Sequence, residues 1–130
     1  MKEAERYKVL CDKIFAVDSR IRYAVVLDEA GLIVAGGMRP GVKSVGSPEY
    51  DRRVDFQTTV LVAIIKTWSE AIGPASFVFF KHKKINAILI PIGNKQLAVS
   101  TQPDFPLENV SKMLEIVERW KRPNSLHGHS

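Results

Sequence analysis

Residues 47–72 constrain this chain more than any other stretch, because their apolar side chains occupy two faces of one helix. At about 100° per residue, Val54, Leu61, Ile65, Trp68 and Ile72 fall on one stripe. Phe56, Val60, Ala63 and Ile64 fall nearly opposite. A helix resting on a single sheet hides only one stripe. The second needs a cover of its own, either another helix of the same chain or a second subunit, since exposed apolar surface of this kind marks a contact. The ends of the helix are signalled as well. Ser47 fits an N-cap, Pro48 the first helical position, and Gly73-Pro74 a stop.

Shorter elements flank this helix. Residues 4–16 carry Ala4, Tyr7, Leu10, Cys11, Ile14 and Phe15 on one stripe, which predicts an amphipathic helix. Residues 21–27 are rich in β-branched side chains and predict a strand. Residues 28–31 turn, residues 32–35 return as a second strand, and Gly36-Gly37 end it. Residues 38–48 lack either period and predict a loop. Three further strands are expected at 76–80, 85–92 and 96–101, the last two joined through Gly93-Asn94. Pro103 and Pro106 interrupt the sheet. A final helix over 107–120 turns Leu107, Val110, Met113, Leu114, Val117 and Trp120 inward. The order is α-β-β-α-β-β-β-α, an α/β (α+β) fold with a five-stranded antiparallel sheet and helices on its faces. A chain of 130 residues, 45% apolar, suffices for one core. One domain is expected over residues 1–122, followed by a polar, mobile tail over 123–130.

Little in the sequence points to chemistry. One cysteine, Cys11, rules out an internal disulfide and a cysteine-based zinc site, and it lies on the apolar stripe of the first helix. Among the histidines, His82 sits in a basic turn, while His127 and His129 lie in the polar tail. No glycine pattern matches a phosphate-binding loop. No apolar run approaches the roughly 20 residues that cross a bilayer. The expectation is therefore a non-enzymatic, cytoplasmic protein without catalytic residues, cofactor or metal. The net charge of +5 comes mostly from scattered residues. Lys81, Lys83 and Lys84 form the one true cluster, and with Arg39 and Lys43 they make a candidate partner or anion patch.

Two segments carry a resemblance. Ile21-Arg22-Tyr23-Ala24-Val25-Val26-Leu27-Asp28-Glu29-Ala30-Gly31-Leu32-Ile33-Val34-Ala35-Gly36-Gly37 resembles the first hairpin of roadblock (dynein light chain-like) domains. Residues 90–99, Ile-Pro-Ile-Gly-Asn-Lys-Gln-Leu-Ala-Val, are similar to their fourth and fifth strands. The element order also agrees over about residues 5–120. The long 38–48 loop and the 81–84 cluster depart from the family pattern and suggest a divergent, archaeal branch. The resemblance implies a roadblock/profilin-like sheet with the long helix on one face and the two terminal helices on the other. It implies a homodimer in which long helices pack together and third strands meet edge to edge. Carried onto this chain, those contacts use Phe56, Val60, Ala63 and Ile64, with Phe77 and Phe79. It further implies an adaptor or regulator of small GTPases; no arginine here can be assigned a catalytic role toward such a partner.

Two other classes compete with the dimeric adaptor. A PAS or profilin-like small-molecule sensor needs an interior cavity lined by a few polar groups. A basic nucleic-acid-binding protein would use Arg39, Lys43, Lys81, Lys83 and Lys84, but lacks exposed aromatic pairs for base stacking.

Overall fold

The computed structural model describes residues 2–122. The tail expected to be mobile, with His127 and His129, lies outside the described residues. The elements are α1 (Glu3–Phe15), β1 (Ile21–Leu27), β2 (Ile33–Met38), α2 (Pro48–Lys66), α3 (Ser69–Ile72), β3 (Val78–Lys81), β4 (Asn86–Ile92), β5 (Lys95–Thr101) and α4 (Asn109–Lys121). The strands form one sheet in the order β2-β1-β5-β4-β3, with every neighbouring pair antiparallel.

The two faces of the sheet are unequally filled. On one, Leu10, Cys11 and Ile14 of α1 and Val110, Met113 and Val117 of α4 pack on Ala24, Val26, Ile88, Ile90, Leu97 and Val99. Trp120 ties these helices together: its indole N–H donates to the Arg6 carbonyl at 2.9 Å, and the Arg6 guanidinium lies 4.3 Å from its ring. On the other face lies a smaller cluster, in which Val62 of α2 meets Val25, Leu27, Leu89 and Ala98. The long helix and the two terminal helices thus occupy opposite faces, as expected.

Several boundaries differ from the sequence reading, each for a local reason. The long helix does not run unbroken to Ile72. The Thr67 hydroxyl donates to the Ile64 carbonyl at 2.7 Å, and the Thr67 and Trp68 amides make tighter i→i+3 bonds, so α2 closes before α3 begins. The third strand starts at Val78 rather than at residue 76. Leu107 lies in a turn and is 54% exposed, not inward; Phe105 is the residue buried there.

Gly36-Gly37 do not end β2 but lie within it. Gly36 has φ +97°, and a Cβ there would collide with the Ala24 carbonyl oxygen and come within 2.9 Å of Cys11 Sγ. Only glycine lets β2 lie this close to β1 and α1. Gly36→Ala is expected to destabilise the chain by about 2 kcal/mol or more, combining left-handed strain with overpacking. A urea midpoint equal to that of the parent would show that the strand relaxes freely.

Candidate interaction surface and the cavity beneath it

The Ser47 hydroxyl starts α2 by accepting from the Tyr50 amide at 3.1 Å, with Pro48 at the first helical position. From there Phe56, Val60 and Ile64 recur every fourth residue and are 55%, 44% and 50% exposed. Ala63 is exposed beside them. Nothing in the described chain covers this stripe. It continues into Trp68 and Ile72, which the helical period placed on the other stripe and which are 52% and 77% exposed. Beyond lies β3, an outermost strand with one unpaired backbone edge. Phe77 is exposed just ahead of it. Phe79 packs back against the larger core, so at this edge it offers backbone rather than side chain.

The buried line of α2 falls between the two apolar stripes. Its two buried residues are Asp55 and Val62, with Asp51, Thr58 and Thr59 half-buried alongside, while Val54, Leu61 and Ile65 flank the line half-exposed. Distant strands reach two of these polar groups, while Asp51 accepts from the Ser44 hydroxyl of the preceding loop and Thr58 donates within the helix. The Tyr23 hydroxyl of β1 donates to Asp55 Oδ2 at 3.1 Å, and Gln96 Nε2 of β5 donates to the Thr59 hydroxyl at 3.0 Å. A polar stripe at 51, 55, 58 and 59, opposite a strand tyrosine, was the available signal.

A cavity of about 150 Å3 opens between this line and the sheet, where Tyr23, Asp51, Asp55, Thr58 and Ser100 supply polar groups above an apolar floor that includes Ala87, Leu89 and Ala98. Burial pushes the Asp55 carboxyl up to about 6; the Tyr23 hydrogen bond opposes this rise and the neighbouring Asp51 adds to it. Burial, then the charge of Asp55, also holds the Tyr23 phenol above its ordinary range.

The proposed basic patch does not come together. The Arg39 guanidinium is committed to its own chain, donating to the carbonyls of Ile21, Phe15 and Asp18 at 2.7–2.8 Å. Lys43 lies near β1, its carbonyl accepting from Arg22 at 2.7 Å. Lys81 donates to the Pro103 carbonyl, while Lys83 and Lys84 are exposed in the β3–β4 turn. Residues 39 and 81 follow and end opposite edge strands, four strand spacings apart, or about 19 Å. Among the described residues no group of three or more His, Cys, Asp or Glu could hold a metal. Cys11 is buried, and that burial pushes its thiol up to about 11, away from reactivity. No described helix is long and apolar enough to cross a membrane.

A five-stranded antiparallel sheet with one long helix on one face and two terminal helices on the other is the roadblock/profilin-like fold. No family model matches the chain, and no curated protein sequence matches it. Solved structures do. An MglB described as having a tetrameric arrangement superposes with a TM-score of 0.75 at 12% identity, over 94% of this chain and 90% of that one. A roadblock/LC7 domain from Streptomyces avermitilis gives 0.64 at 10% identity, over 95% and 98%. A profilin from Schizosaccharomyces pombe gives 0.57 at 11% identity, over 84% and 90%. The structural likeness to roadblock/LC7 domains agrees with the resemblance carried by the two hairpins. At these identities it is a likeness of fold.

Proposed function

We propose that this chain is a non-catalytic adaptor that pairs with a second copy of itself and presents the paired surface to a small GTPase or a related regulatory protein. The observation that carries this reading is the exposed column Phe56, Val60, Ile64 and Trp68, apolar surface that the sheet below leaves uncovered. An isolated domain gains nothing from such a column, whereas two antiparallel copies bury it mutually. The free edge of β3 supports the same arrangement, because two such edges complete each other's backbone hydrogen bonds. The tetrameric arrangement named for one MglB fits a fold that assembles through itself. The GTPase arm rests on the roadblock likeness.

Sedimentation equilibrium tests the first part, with twice the chain mass of 14.6 kDa expected at micromolar concentration. The second part is tested by binding the chain to small GTPases of the same cell, loaded with GDP or a GTP analogue. Binding selective for one nucleotide state is expected; no binding in either state removes the GTPase arm and leaves the dimer standing. The nucleic-acid alternative loses support from the committed Arg39 and the divided lysines. If it held, affinity would fall steeply with salt.

A further inference from the structure

The cavity beneath α2 is lined by none of Phe56, Val60, Ala63 and Ile64, so a ligand there does not use the pairing face. We propose that this cavity binds a small organic monocation, an alkylammonium whose charged end meets the Asp55 carboxylate and whose hydrocarbon body lies on the sheet. Asp55 is only 7% exposed, yet its carboxylate receives one hydroxyl, that of Tyr23, at 3.1 Å from Oδ2 and 3.5 Å from Oδ1. A carboxylate has room for several more donors. Asp55 has no ion pair among the described residues. One cation, Arg22, lines the same cavity, but it forms no ion pair with Asp55. From α2, Asp51 lines the same cavity and repels it; from β1, Tyr23 is neutral, and the Arg22 guanidinium turns to the Lys43 carbonyl. An ammonium group would relieve both the burial of Asp55 and its repulsion by Asp51. The Tyr23 oxygen, while donating to Asp55, still has lone pairs to accept an ammonium proton. The rest of the lining suits a short aliphatic chain: Ala87, Leu89 and Ala98 below, Met38 and Val54 at the sides. A space of about 150 Å3 holds a ligand of about six non-hydrogen atoms, not a nucleotide.

The test is a titration of the full chain with n-butylammonium chloride at pH 7.5 and constant ionic strength, read from the amide resonances of Tyr23, Asp55, Thr58 and Ala98. Parallel arms use n-butanol, of similar shape but neutral, and sodium chloride. Saturable shifts are expected with the ammonium, with n-butanol at least about tenfold weaker. At pH 5 the affinity of the unmodified chain should drop about tenfold, because most Asp55 then carries a proton. Asp55→Asn should abolish the response. Val60→Glu should leave it unchanged, since Val60 does not line the cavity, so failure of the pairing reading would not be confused with failure here. Absence of saturation with butylammonium, equal binding of n-butanol, or an affinity indifferent to pH would each overturn the proposal.

Discussion

Val60→Glu is expected to convert the protein from a sedimenting species of twice the chain mass to one of 14.6 kDa. Val60 stands in the middle of the exposed column, between Phe56 and Ile64. Twofold pairing places two copies of the new carboxylate in one interface. Each would lose its water without gaining a cation, at a cost of several kcal/mol. Every 1.4 kcal/mol is tenfold in the dissociation constant, so a loss of about 4 kcal/mol weakens pairing about a thousandfold. At 44% exposure Val60 contributes little to the fold of one chain, and the far-ultraviolet circular dichroism should not change. An unaltered mass would remove α2 from the interface.

Asp55→Asn is expected to stabilise the protein at pH 7.5 and to have little effect at pH 4. The Asp55 carboxyl sits at about 6 in the fold, against 3.8 for an unburied one, so the folded chain holds its proton more tightly than the unfolded chain. Its contribution is fully favourable below about pH 4 and is lost as pH rises through about 6. Above that range the buried charge costs up to about 3 kcal/mol, since a tenfold difference in proton affinity is worth about 1.4 kcal/mol. Asparagine keeps the shape and still accepts the Tyr23 hydroxyl, so the variant should gain about 1–3 kcal/mol at pH 7.5. Urea unfolding at pH 4, 5.5 and 7.5, at one fixed protein concentration, gives the comparison. Asp18, held near 2 chiefly by the Arg20 hydrogen bond, tilts both proteins alike and cancels in the difference. A gain of equal size at all three pH values, or a loss at pH 7.5, would show that Asp55 is not the buried titrating group.

The hairpins were legible because their signals are local. Gly31 takes φ +82° and Gly93 φ +59°, as turns at those sites require, and Pro48 behind Ser47 starts α2 where it should. The inward residues of α1 and most of those of α4 followed from period alone, because these helices lie on an almost purely apolar face. The rotation of α2 did not follow. Its apolar stripes flank a buried line headed by Asp55, and no periodicity rule turns an aspartate inward. Gly36 misled in a similar way: a paired glycine reads as a strand end, but here it permits close approach between strands. Arg39 and Lys81 belong to opposite edges of the sheet, a separation that strand order alone sets and that charge along the sequence does not reveal.

From its sequence alone this chain has its elements in order, its two tight hairpins, its richly apolar face beneath the terminal helices, and a long helix with more hydrocarbon than one sheet can hide. Each of these depends on the polarity and backbone preferences of neighbouring residues, which are written along the chain. Tertiary structure alone decides which side of α2 meets the sheet, that Tyr23 and Gln96 reach its polar groups, that a cavity opens beneath it, and that Arg39 is spent internally. Those outcomes depend on partners tens of residues away, because a polar side chain becomes stable in the interior only when a distant strand supplies its hydrogen bond.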